Sequence, residues 1–109
     1  MAYFDVQATS TTGVELAAAS SGNRARFLSI GFTNMSSTAR IVTVYDGTAA
    51  SGTARVRISL PGSGSEYFRV EGAGQSVFPK SWWTSGSVIE IANDGASNTR
   101  VWGEIVREA

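Results

Sequence analysis

Hydrophobic positions along the chain recur mainly with a period of two, the signature of strands with one face in a core. In TARVRISL, Val56, Ile58 and Leu60 share one face while Arg55, Arg57 and Ser59 share the other. In ARFLSIGFTN the alternation places Leu28, Ile30 and Phe32 together. ARIVTVYD is apolar on both sides, with Ile41 and Tyr45 on one and Val42 and Val44 on the other. Such a strand is central in its sheet or has its second face covered by a neighbouring chain. EYFRV alternates Tyr67 and Arg69 with Phe68 and Val70, and SVIEIAN sets Ile89 and Ile91 against Val88 and Glu90. TRVWGEIVR sets Val101 and Ile105 against Trp102, Glu104 and Val106. The longest helix-compatible run, Val14 to Ala19, is under two turns and too short to stand alone. It reads as a strand or a single helical turn.

Turn chemistry separates these runs. Asp46-Gly47 ends one strand, and Leu60-Pro61-Gly62-Ser63-Gly64 makes a turn from a preset proline φ and permissive glycines. Asp94-Gly95 with Ala96 to Asn98 reads as a hairpin between the last two strands. Seven or eight short antiparallel strands in 109 residues predict an all-β fold with no internal domain boundary: a β-sandwich of jelly-roll or immunoglobulin-like type, or a small barrel, of which a single small jelly-roll-like β-sandwich is the leading expectation. Residues 1–12 are either an N-terminal arm that adds a strand to a neighbouring sheet or the first strand of the domain's own sheet.

Charge and composition narrow the chemistry. Lys+Arg and Asp+Glu are 9 each, which argues against a nucleic-acid or acidic-membrane binder. Without cysteine or histidine there is no disulfide scaffold, thiol nucleophile, Ser-His-Asp triad or zinc site with N or S ligands. No apolar run is long enough to cross a bilayer, and the first residues lack a secretory pattern, so synthesis in a cytoplasm is expected. The glycine-containing segments 62–65, 72–77 and 93–95 read as turns, not phosphate or calcium loops. Most of the nine acids sit in turns or on polar strand faces and read as solvated surface, and no catalytic residue, cofactor or metal is expected. A glycosidase-like carboxylate pair is the enzymatic alternative, since distant strands can bring two acids together.

Two residue types point instead to an interface. All basic residues but Lys80 are arginines, whose planar guanidinium makes bidentate contacts to carboxylates across protein surfaces. Arg55 and Arg57 share one strand face. Trp82 and Trp83 are adjacent, so on a strand one enters the core and the other covers a second surface or anchors a partner. Tyr3 and Phe4 precede a polar Ser/Thr stretch and complete the candidate protein-interface set. The rival use of exposed aromatics is a carbohydrate site, with Trp82, Trp83 or Tyr67 stacking on sugar.

Thr33-Asn34, Thr43-Val44-Tyr45-Asp46-Gly47 and Leu60-Pro61-Gly62-Ser63-Gly64-Ser65, followed by an aromatic strand and by Ser85-Gly86, resemble the pattern of small β-sandwich virion proteins of tailed bacteriophages. The resemblance spans roughly residues 25 to 92 and rests mainly on turn signatures. It implies a structural subunit, a capsid decoration or cement protein on the virion surface. Its partners would be the phage's major capsid protein and further copies of itself, as a trimer or dimer. A symmetric oligomer would cover open sheet edges and an apolar second face suggested by Val42 and Val44. The alternative is a tail- or fibre-associated carbohydrate-binding module.

Overall fold

The computed structural model describes residues 2–16, 24–69, 84, 88–96 and 98–107. These form eight strands: β1 (Ala2–Ala8), β2 (Val14–Glu15), β3 (Ala25–Asn34), β4 (Arg40–Asp46), β5 (Thr53–Leu60), β6 (Ser65–Arg69), β7 (Ile89–Asn93) and β8 (Thr99–Arg107). They make two four-stranded sheets. Sheet A has the order β1-β8-β3-β6 and sheet B the order β2-β7-β4-β5, with every neighbouring pair antiparallel.

The pairs β1–β8, β2–β7, β3–β6 and β4–β5 are the rungs of one long ribbon doubled back at the β4–β5 turn. Rolling that ribbon sends successive rungs to alternate sheets. The pairs β8–β3 and β7–β4 then close the sheets. This is the jelly roll. It accounts for β1: residues 2–8 are the first strand of the domain's own sheet, held along their full length by β8. It also corrects one expectation. The Asp94-Gly95 turn does not close a hairpin, because β7 and β8 lie in different sheets. The turn instead carries the chain across the sandwich.

The space between the sheets is filled by one side of each strand. Sheet A contributes Phe4, Phe27, Ile30, Phe32, Phe68, Val101 and Ile105, and sheet B contributes Val42, Val44, Val56, Ile58, Leu60, Ile89 and Ile91. Two edge-to-face ring pairs, Phe4–Phe27 at 5.9 Å and Phe32–Phe68 at 6.4 Å, tie the outer strands of sheet A to its centre. Val42 and Val44 are therefore core, and β4 is a central strand whose outward side carries Ile41 and Tyr45. The apolar second face expected from Val42 and Val44 is replaced by this half-exposed pair.

Two irregularities set which residues face out. In β3, Phe27 opposes Ile105 and Ser29 opposes Glu104, so Leu28 is an inserted bulge residue. The bulge reverses the phase of the strand: Phe27 points inward with Ile30 and Phe32, and Leu28 is only half-buried. Across the bulge, Gly103 has a φ of 156° and its backbone comes so close to Ser29 and Ile30 that a Cβ would strike them. In β5, Val56 opposes Val44 while Ala54 opposes Tyr45, leaving Arg55 as the extra residue.

Asn34, at the end of β3, is 1% exposed. Its side-chain amide donates to the Thr38 carbonyl at 2.8 Å and the Pro61 carbonyl at 3.1 Å, and its Oδ1 accepts from the Ser36 amide at 3.0 Å. It thus binds the β3–β4 and β5–β6 connections to each other. Asn93 does the same at the end of β7, donating to the Ala8 carbonyl at 3.2 Å and to Thr99 Oγ1 at 3.0 Å. Removing the Asn34 side chain takes away three hydrogen bonds to partly buried backbone groups, at about 1 kcal/mol each. Asn34→Ala should therefore lower the unfolding free energy in urea by about 2–4 kcal/mol, whereas Thr38→Ala, which keeps the accepting carbonyl, should change it by under about 0.5 kcal/mol.

Candidate functional site

Because the inward side of each strand is committed to the core, functional chemistry falls to the outward sides. The strand register builds the outer face of sheet A row by row. Asp5, Trp102, Gly31 and Tyr67 lie in one row across β1, β8, β3 and β6. Tyr3, Glu104, Ser29 and Arg69 form the next row, and Gln7, Arg100, Thr33 and Ser65 the row on the other side. Strands spaced about 4.8 Å apart make this face about 14 Å wide between the outer strands.

Glycine at position 31 decides the shape of the face. A Cβ there would run into the six-membered ring of the Trp102 indole, so the glycine is what lets the indole lie across β3 toward Tyr67. Trp102 is half-buried in that position. Tyr67 and Tyr3, by contrast, are 56% and 80% exposed. The three aromatics bound a concavity of about 430 Å³ lined also by Asp5, Arg100, Glu104 and Ser29.

The polar groups of this face are fixed by one another. Arg100 donates Nε to Asp5 Oδ1 at 2.9 Å and Nη2 to Asp5 Oδ2 at 2.7 Å, a two-point fork. The same guanidinium carbon lies 5.4 Å from the Trp102 ring centroid, within cation–π range. The hydrogen bonds from Arg100 hold the Asp5 carboxyl below the usual carboxylate range, and Asp5 in turn raises Arg100. A glycosidase acid needs a carboxyl kept protonated near neutrality. Arg100 drives Asp5 the opposite way, although Asp5 and Glu104 share the concavity.

The outer face of sheet B carries a second, smaller depression of about 340 Å³, lined by Ile41, Thr43, Tyr45, Ala54, Arg57 and Asp94 among others. Arg57 is exposed there and makes no ion pair among the described residues. Asp94 lies 3.8 Å from Arg40. At the far end of the sheet, Glu90 accepts the Ala49 amide at 2.9 Å and anchors the β4–β5 loop.

The residues expected at an interface divide accordingly. Tyr3 is on the surface. Phe4 is not: it is 5% exposed and packed on Phe27, because it alternates with Tyr3 on a strand whose other side meets the core. Arg55 is exposed but lies 3.6 Å from the buried Asp46 carboxylate, at the bulge. Arg57 is on the open face of sheet B. Trp82 and Trp83 lie outside the described residues. No local pattern in the sequence marks Asp5, Arg100 and Trp102 as a group. The outward phase of Trp102 was readable in TRVWGEIVR, but the opposing glycine in β3 that gives it room was not. Among the described residues, no group of three or more His, Cys, Asp or Glu is placed to hold a metal ion, and no helix is long and apolar enough to cross a membrane.

The sequence matches no family model and no curated protein. Among solved structures it is similar to PirA, known from a crystal structure, at 12% identity and a TM-score of 0.44, over 97% of this chain and 93% of that chain. A likeness at that level bears on no functional question.

The pH dependence of the Asp5–Arg100 fork follows from its direction. A carboxyl depressed in the folded state contributes stability above its unfolded pKa and loses it as pH falls through the folded value. An NMR titration of the Asp5 carboxyl carbon should have its midpoint below the ordinary carboxylate range. In Arg100→Gln that midpoint should move upward, with little change in global stability because both groups are solvated.

Proposed function

We propose that the protein is a structural subunit of a tailed-phage virion, a decoration or cement protein that binds the assembled shell of the major capsid protein as a homo-oligomer. The resemblance in its turn sequences suggests the class, and a jelly roll with its functional chemistry confined to outer faces suits it. A fastener needs area, shape and a rigid frame, and no reacting group. It stabilises the shell because it binds the assembled state, as any ligand of a native state does.

The observation that carries the reading is the outer face of sheet B. There Arg57 of the edge strand β5 stands exposed beside the half-exposed Ile41 and Tyr45 of β4, which is paired on both sides by β5 and β7. An exposed guanidinium next to aromatic and aliphatic surface suits a carboxylate-bearing protein partner, which it can engage through two parallel hydrogen bonds. The long edge strand β5 is guarded at the same time by its bulge and by Arg55, which discourages indiscriminate strand addition.

Purified protein mixed with heads assembled from the major capsid protein should co-sediment with them and should run as a dimer or trimer in light scattering. Arg57→Glu should weaken co-sedimentation at least tenfold with an unchanged melting temperature. A protein that remains monomeric and stays in the supernatant with heads would overturn the proposal.

A further inference from the structure

The outer face of sheet A carries chemistry that shell docking through sheet B does not use, and we infer that it is a binding site for a neutral pyranose glycan. Three aromatic side chains, Tyr3 on β1, Trp102 on β8 and Tyr67 on β6, stand on three of its four strands, and Asp5, Arg100 and Glu104 lie between and beside them. A pyranose ring has one face of C–H groups and a perimeter of hydroxyls. The electron-rich face of an aromatic ring attracts the partly positive C–H groups. The hydroxyls need acceptors and donors around the edge, which the carboxylates and guanidinium supply.

Three observations favour this ligand over others. First, the concavity itself is lined by two carboxylates, Asp5 and Glu104, and one guanidinium, Arg100, so its lining does not invite phosphate or nucleic acid. Second, the Asp5–Arg100 fork is solvent-accessible, with side chains 54% and 48% exposed. Covering it with a protein surface would strip water from both charges at a cost their attraction need not recover. A glycan leaves the rim wet and replaces water hydrogen bonds with hydroxyl ones. Third, the central platform is fixed before any ligand arrives: Trp102 is seated over Gly31 and flanked by Arg100. A preorganised surface loses little conformational freedom on binding. The concavity is broad and open, suited to a chain lying across the strands with Tyr3 and Tyr67 near its two ends.

The site does not depend on where in a virion the subunit sits, nor on its sitting in one. Screening the intact protein on an array of neutral pyranose oligosaccharides should give binding. Titrating the best binder into labelled protein should shift amides of β1, β6 and β8 and the Trp102 indole N–H, leaving β4 and β5 unmoved. The double variant Tyr3→Ala/Tyr67→Ala removes only exposed rings, and it should keep its melting temperature while losing at least tenfold in affinity. Trp102→Phe should also weaken binding. No binding anywhere on the array would overturn the inference, as would unchanged affinity in the double variant. Binding confined to sulfated or phosphorylated glycans would overturn the neutral class. If the double variant abolished head co-sedimentation while leaving saccharide binding intact, the face would be a protein contact and the glycan site refuted. Retained co-sedimentation with lost saccharide binding would support the glycan site independently of the shell-docking reading.

Discussion

Strand alternation is the constraint on which the whole molecule depends. A β-strand sends successive side chains to opposite faces, and in a two-sheet sandwich only one of those faces can be dry. Val56, Ile58 and Leu60 on one edge and Phe27, Ile30 and Phe32 at the centre of the facing sheet are answers to that one requirement. Once they are placed, the residues between them have no packing duty and are left to solvent and to partners. Tyr3 and Phe4 show the division most sharply. They are adjacent in the chain and similar in chemistry, yet one is exposed and the other is locked against Phe27.

Much of this was legible in the sequence wherever the period of two runs unbroken. β5, β7 and β8 present the inward sets that simple alternation assigns. The failures have a single kind of cause, a change of phase or of sheet that local pattern does not mark. In β3, Phe27 and Leu28 are both apolar, so either could start the inward series. The bulge that selects Phe27 is accommodated by Gly103 on another strand, more than seventy residues away. In ARIVTVYD both faces are apolar, and the choice of Val42 and Val44 for the core follows only from how β4 sits between β5 and β7. The Asp94-Gly95 turn looks like a hairpin locally, and only the rolled ribbon makes it a bridge between sheets.

The candidate sites were less legible because they are assembled across strands. The arginine face of β5 was visible, but sequence could not separate Arg57, open to solvent, from Arg55, which a bulge places beside the buried Asp46. Asp5 and Arg100 are far apart in the chain, and their fork exists only because β1 and β8 are the first and last strands of the ribbon and so become neighbours. The turn motifs that suggested a virion protein acquire a structural meaning as well. Asn34 of the Thr-Asn pair grips the loop that begins at Pro61, so two of the recognised signatures are the two halves of one clamp.

The two outer faces thus divide the labour the core leaves over: sheet B offers an exposed arginine beside apolar surface, and sheet A an aromatic platform edged by fixed charges. The central claim is that glycine at position 31 and the β3 bulge together set Trp102 on the open side of sheet A as a fixed platform. The Gly31 α-protons test it most directly by NMR. If the indole lies over them, its ring current should carry them well upfield of the usual glycine position, and Trp102→Phe should reduce that displacement. Gly31 α-protons at their ordinary position in the folded protein would contradict the register, the platform and the division of faces built on them.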